Sequence, residues 1–318
     1  MSNPHPLLTV VGSFAVGLTM RAARFPVAGE TLLGTDFDMG PGGKGSNQAV
    51  GAARLGAEVE LVAVIGQDLF GDMAMALYQR EGVGVALLRR TAERNTGVGF
   101  ITLNAAGENH IVLDMGANHL LSTEDVDMAE PLIARSDAVL SVLEIDPATA
   151  AHGLGLARRH GAITILNPAP AQPLSDDLLS VVDVLTPNES ELRILSGLPP
   201  DDPTDMMELA RRLLARGVRH LVVTRGGEGA LVISAGGGPA QAVAGVPVTV
   251  VDTTGAGDAF TCALGVALAE AGAADEASVL AAVRFAVYAG ALACTRLGVV
   301  PALATRAEVE ALRQARPA

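Results

Sequence analysis

Between residues 123 and 224 short, unbroken apolar runs alternate with longer stretches of helical spacing. Helical patterns over 123–134, 147–160, 189–196 and 204–216 interleave with strand-like runs at 138–142, 163–166, 182–185 and 221–224. A strand that is apolar at every position has both faces covered, and a helix between successive strands is the connection that makes them parallel. The pattern predicts an α/β fold: three αβα layers around a doubly wound, mostly parallel sheet. Runs of the same kind at 7–11 and 59–65, with a helix over 69–81, extend that sheet toward the N-terminus.

Two stretches break the alternation. Residues 14–40 carry Pro26, Gly29 and Gly34 within an irregular pattern, and 96–103 and 109–114 form a strand pair around the turn-forming Ala106-Gly107-Glu108. Neither suits a buried β-α-β unit, so together, over about 14–40 and 96–116, they predict a small β-sheet lid on a single domain spanning 1–318. The last third reads as a β pair (229–233, 241–244), a β-like run (246–251) and helices over 259–271, 276–294 and 305–316.

Composition narrows the function. Hydrophobic residues make up 49% and charged residues 18% of the 318, enough for a large core. A net charge of −13 with no basic cluster argues against a nucleic-acid partner. The apolar residues 7–18 lack a basic flank, and no uninterrupted apolar run of membrane length follows, so the expectation is a soluble cytoplasmic protein without a membrane partner. The two cysteines lie in apolar helical patterns, which predicts reduced thiols, and the six histidines show no ligand spacing for a transition metal.

The segment Asp252-Thr253-Thr254-Gly255-Ala256-Gly257-Asp258 runs from the apolar stretch at 246–251 into a helix. Free backbone N–H groups and the positive dipole end make a helix start an anion site, and small residues let a phosphate approach. A carboxylate there either caps the helix or works beside the anion, and Asp258 reads as a base that readies a hydroxyl for attack on a phosphoryl group. Gly40-x-Gly42-x-x-Gly45 formally matches a dinucleotide fingerprint but follows the lid-like stretch instead of the first strand. Gly45 after Lys44 also rules out a magnesium-binding P-loop. Gly42, Gly43 and Gly45 clear one wall on which Lys44 and Asn47 could hold adjacent hydroxyls; a glycine turn with an exposed lysine is the plainer alternative.

Gly42-Gly43-Lys44-Gly45-Ser46-Asn47-Gln48-Ala49 and the Asp252–Asp258 segment resemble the two signatures of the ribokinase-like (PfkB) sugar kinases. Between them Asn167-Pro168-Ala169-Pro170-Ala171, Thr186-Pro187-Asn188-Glu189-Ser190-Glu191 and Thr224-Arg225-Gly226-Gly227-Glu228-Gly229 follow in the order of the ribokinase branch. The resemblance implies an ATP-dependent, magnesium-using kinase for a primary hydroxyl of a small sugar or polyol, dimeric through its lid. It makes Asp258 the base and the N–H groups of Gly255, Ala256 and Gly257 an anion hole. Gly43, Lys44, Asn47 and Glu144 become sugar contacts. Asn188, Thr224, Gly226, Gly227, Gly229 and Gly257 would hold the nucleotide, with Glu191 organising magnesium through water. A monovalent cation, potassium, would take Asp252, Thr254, Ala293, Arg296 and Gly298.

The sequence departs from that pattern twice. Ala302 stands where a serine hydroxyl usually completes the cation site, which predicts weakened or absent potassium activation. In Gly12-Ser13-Phe14-Ala15-Val16-Gly17, Ala15 and Gly17 replace the asparagine and aspartate that hold ribose hydroxyls in ribokinases. Thr19 and Arg21 are candidate replacements. A nucleoside or sugar-acid kinase of the same fold, and a non-catalytic sugar sensor, are the alternative readings; a nicotinamide-dependent enzyme is a more distant one.

Overall fold

A computed structural model describes residues 5–106 and 108–316. Gly107 of the expected turn lies outside the described residues, as do 1–4, 317 and 318 of the expected 1–318 domain. The strands are β1 Leu7–Val11, β2 Ala15–Arg21, β3 Thr35–Gly42, β4 Glu58–Gly66, β5 Leu88–Thr91, β6 Gly97–Leu103 and β7 Asn109–Asp114. After them come β8 Ala138–Val142, β9 Ile163–Asn167, β10 Val184–Leu185, β11 His220–Thr224, β12 Ala230–Ser234 and β13 Gln241–Val243.

Nine strands form one sheet in the order β13-β12-β11-β10-β9-β8-β1-β4-β5, parallel from β11 to β5, with antiparallel β12 and β13 at one edge. Every residue of β1, β8 and β9 is buried, as unbroken apolar strands require when helices cover both faces. Alternation along the strands feeds two cores. Leu8, Val10, Ala138 and Leu140 join the cluster under the helices Lys44–Arg54, Ala256–Ala271 and Glu276–Ala293, while Val11 and Val139 join the cluster on the opposite face. The three-layer α/β expectation is thereby met. Glu276–Ala293 is long and apolar enough to cross a bilayer by composition, yet its buried face belongs to the first of these cores.

Several expected elements differ. Residues 246–251 form no strand: Pro247 removes a ladder donor, Val250 and Val251 are exposed, and the Val251 N–H bonds to the Cys294 carbonyl instead of a neighbouring strand. The helix expected over 123–134 is two, Thr123–Met128 and Glu130–Ile133, because Pro131 cannot donate to the preceding turn. β5 and the short helices Asp176–Ser180 and Val299–Ala302 have no counterpart in the sequence reading. The remaining helix and strand ends shift by a few residues.

The second sheet is the lid, ordered β3-β2-β6-β7. On one face Leu18 lies between Met39 and Phe100, and Phe100 pairs with Val112. Val16 and Leu18 tie that face to the core, whereas Phe100 and Val112 remain 57% and 70% exposed. On the other face Gly17 lies between Gly40 and Gly99, and Ala15 between Gly42 and Gly97. The end of β1 and the start of the Lys44–Arg54 helix touch backbone to backbone. A Cβ on Gly45 would sit 2.3 Å from the Ser13 nitrogen, which is why a glycine is needed there.

Candidate active site

The Ala256–Ala271 helix starts from Gly255, which at φ 81° is left-handed and would place a Cβ 2.4 Å from Val299 Cγ1. Gly257 points the other way, into space with nothing within 4 Å of its would-be Cβ. Of the three N–H groups expected in an anion hole, that of Ala256 already donates to the Thr253 carbonyl at 3.2 Å. Those of Gly255 and Gly257 have no backbone partner among the described residues, so two donors at the positive end of the helix face the opening.

Asp258 lies in the first helical turn, only 4% exposed. Its carboxylate does not cap its own helix: it accepts from Asn47 Nδ2 at 2.8 Å and Gln48 Nε2 at 3.2 Å, both on the Lys44–Arg54 helix. The capping alternative therefore fails. Asn47 Oδ1, buried beside the carboxylate, has no hydrogen-bond partner among the described residues, an unmet acceptor suited to a ligand hydroxyl.

Lys44 is also drawn inward, against the alternative of an exposed lysine. Burial works against its charge, but Asp258, Glu144 and Glu191 around it outweigh that and hold its pKa above the usual lysine value. Glu144 Oε2 accepts from Ser13 Oγ at 2.6 Å and the Lys44 backbone N–H at 2.7 Å, while Ser13 Oγ accepts from the Gly45 N–H at 3.2 Å. Glu144, expected as a sugar contact, thus braces the helix start with one oxygen. Burial raises its pKa, opposed by the Ser13 hydroxyl and Lys44. Gly43, at φ 84°, makes the turn into this helix.

Asn188 and Glu191 form a reciprocal capping box at the start of Glu189–Leu195, each side chain accepting from the other's backbone N–H at 2.8 Å. The bond to Asn188 takes Glu191 Oε2; Oε1 accepts no hydrogen bond among the described residues, so a carboxylate oxygen is left that suits a magnesium-bound water. Burial raises the Glu191 pKa, against the Asn188 N–H and Lys44. A parallel bridge sets Thr224 beside Asn188, and the following loop closes through the Arg225 N–H to the Gly229 carbonyl at 2.8 Å.

Gly226 and Gly227 would meet nothing with a Cβ, so this loop leaves room for phosphates, whereas a Cβ on Gly229 would strike the Val243 carbonyl at 2.1 Å. A cavity of about 350 Å³ opens here, lined by Asn188, Ser190, Arg193, Thr224, Arg225 and Gly226. Arg225, to which the sequence reading gave no role, is ion-paired to Glu189 and Glu228.

At the expected cation site, Asp252 accepts from Thr254 N–H and Oγ1 at 2.9 and 2.7 Å and from the Gly298 N–H at 3.2 Å. Burial raises the Asp252 pKa, but these donors outweigh it and hold it below the usual carboxylate value. The Asp252 N–H reaches the Cys294 carbonyl, next to Ala293. The Arg296 side chain pairs with Glu308, which leaves its carbonyl as the expected ligand atom, and the buried Ala302 has no polar side-chain atom to offer.

The sequence reading also gave no role to Ser13, which braces Glu144, or to Gln48 and Asn167, although both stand in the motifs it singled out. The i, i+4 spacing from Lys44 to Gln48 was the available signal that both face the same way.

Comparison with known proteins completes the picture. The family model described as pfkB family carbohydrate kinase matches residues 6–306. The chain is 37% identical over 301 residues to ribokinase of Haemophilus influenzae, covering 95% of this chain and 96% of that one. It is 35% identical over 254 residues to deoxyribokinase of Salmonella typhi, covering 80% and 82%. The structure of Arabidopsis thaliana ribokinase complexed with ribose and ATP superposes with a TM-score of 0.87 at 29% identity, covering 97% and 98%. With a family match over residues 6–306 and relatives covered over nearly their whole length, the chain belongs to the pfkB family of carbohydrate kinases, phosphotransferases that act on a sugar hydroxyl.

Proposed function

We propose that this kinase transfers the γ-phosphoryl group of ATP to a primary hydroxyl of a small sugar, with Asp258 as the base. The observation that carries this reading is the Asp258 carboxylate, buried and clamped by Asn47 and Gln48 at the mouth of an open helix start. The hydroxyl proton passes to Asp258 as the oxygen bonds to the γ-phosphorus, and the bond from phosphorus to the bridging oxygen breaks to release ADP. The N–H groups of Gly255 and Gly257 face the charge that develops on the transferred group, an effect of about 3–4 kcal/mol per donor in comparable sites. Lys44 and Asn47 hold sugar hydroxyls. Thr224, Gly226, Gly227 and Gly229 cradle the nucleotide phosphates. Asn188 and Glu191 would hold the waters of a magnesium ion, which would supply positive charge beside those phosphates.

Ala15 and Gly17 bear on which sugar. Without the polar side chains that meet ribose hydroxyls in ribokinases, the preferred substrate differs from ribose at those hydroxyls. The deciding experiment is a coupled ADP-release screen over ribose, 2-deoxyribose, other pentoses, keto and aldo hexoses, sugar acids and nucleosides. The expected result is a sugar turned over faster than ribose; ribose as the fastest substrate would overturn this part. Asp258→Asn is expected to lower kcat by roughly 10²- to 10⁴-fold while ATP still raises the melting temperature, and wild-type turnover in that variant would refute the base.

For potassium, the same assay should run at equal rates in potassium and in tetramethylammonium, because Ala302 offers no ligand; strong potassium dependence would refute this. The kinase works in the cytoplasm as a dimer joined through its lids, a reading supported by the exposed apolar face of that sheet and the free thiols of Cys262 and Cys294.

A further inference from the structure

We propose that Gln48 and Asn167 are positioning residues that aim the Asp258 carboxylate, working as a hydrogen-bond relay whose direction is set by the backbone carbonyl of Thr186. The inference rests on Asp258 being the base and adds what holds it in place. The relay is deduced from the one member that cannot turn over. A backbone carbonyl only accepts, so Asn167 must present Nδ2 to Thr186 O, and the distance is 3.2 Å. Asn167 Oδ1 then faces Gln48 and accepts from Nε2 at 3.1 Å. The second hydrogen on that nitrogen points at Asp258 Oδ1, 3.2 Å away. Turning Asn167 over would set its oxygen against the Thr186 carbonyl and its nitrogen against Gln48 Nε2, and turning Gln48 over would set its oxygen against Asn167 Oδ1 and Asp258 Oδ1, so one peptide carbonyl fixes the sense of the chain.

The relay closes on the base's own helix. Thr186 Oγ1 lies 3.2 Å from the hydroxyl of Thr261, one turn beyond Asp258. Asn47 holds the other carboxylate oxygen at 2.8 Å, so neighbouring residues of one helix pin both oxygens and fix the plane of the group. Each oxygen keeps a lone pair for an incoming hydroxyl.

Gln48 also gives up something to keep this orientation. It is fully buried, and its Oε1 has no hydrogen-bond partner among the described residues. A buried acceptor left unmet costs stability that a methionine or leucine of similar volume would not, so the glutamine is better explained by its contact with Asp258 than by packing.

The test uses Gln48→Met and Asn167→Leu, apolar side chains of similar length that remove the relay's hydrogen bonds. They are assayed with the panel sugar of highest wild-type turnover and saturating magnesium-ATP. Misaiming a reacting group lowers kcat by roughly ten- to a hundredfold, and here KM for sugar and ATP and the melting temperature should stay near wild type. The double variant should be no slower than the slower single one, because a relay is broken only once.

Wild-type kcat in Gln48→Met overturns the proposal, as do losses that multiply in the double variant or a fall in kcat matched by a raised KM and a lowered melting temperature. Should Gln48→Met fail to fold, Asn167→Leu carries the test alone: it frees Gln48 to turn, and wild-type kcat there is equally fatal. Asp258→Asn is assayed in parallel. Retained activity in that variant sinks the base assignment itself, whereas its inactivity beside a fully active Gln48→Met sinks only the relay.

Discussion

A single added methyl group has different consequences at the two glycines of the turn before Asp258. At Gly255 it meets a left-handed backbone and Val299 Cγ1 at 2.4 Å; at Gly257 it meets open space. Gly255→Ala should therefore lower stability by about 1–2 kcal/mol from the backbone alone, with the clash in addition. Gly257→Ala should leave stability unchanged or raise it by up to about 1 kcal/mol, since alanine is the better helix former. Turnover should nevertheless fall in Gly257→Ala, because the methyl group stands where the transferred phosphoryl group has to come. Denaturant titration and ADP release on both variants check this; a fully active Gly257→Ala would remove the anion from that place. Asp258, Lys44 and Asn47 were legible in the sequence because each stands in a glycine-marked segment whose chemistry is local. Gln48, Asn167 and Ser13 took on roles through contacts with Asp258, Gln48 and Glu144 more than a hundred residues away, which no local spacing reports.

At the scale of the element, the Arg306–Ala315 helix shows how a cap is tied to the rest of the fold. Thr305 and Glu308 form its capping box, and Arg296 reaches in from the expected cation turn to pair with Glu308. The Arg296 guanidinium first, and then the Thr305 N–H, hold the Glu308 pKa down at about 2 from an ordinary 4.5. A carboxylate with a lowered pKa stabilises the fold above its ordinary value, and that contribution is lost as pH falls toward the folded one. Glu308→Gln keeps a capping side chain and removes the charge. Because the pair is partly exposed, the expected loss at pH 7 is only about 0.5–1 kcal/mol. The difference should close between pH 4.5 and about 2, and a difference unaffected by acid would show that the charge contributes nothing. This cap could be read from Thr305 and Glu308 three residues apart. The run at 246–251 misled because apolar residues name a strand only when a neighbour offers its backbone, and here the chain end of another helix supplies the partner.

At the scale of the whole molecule, the layered body was legible because strands buried on both faces leave an unbroken apolar signature. The lid was legible by contrast, as the part that lacks it. Its pairing was not: β2 runs parallel to β6 with many residues between them, and no turn in the sequence announces that partnership. The apolar face carrying Phe100 and Val112 should bring two chains together, giving a particle of twice 32.4 kDa in light scattering. Phe100→Asp combined with Val112→Asp should leave a folded monomer. A monomeric wild type, or a double variant that stays dimeric, would refute the lid as the interface. The opposite face has another consequence. Gly17, Gly40 and Gly99 lie side by side on three strands. A Cβ would meet nothing at Gly40, a side chain at ordinary contact distance at Gly17, and at Gly99 only the end of the exposed Leu113. Codon by codon, new side chains can be tried there singly without disturbing the core, while Gly43, Gly45 and Gly255, each pressed against a neighbour, are closed to drift.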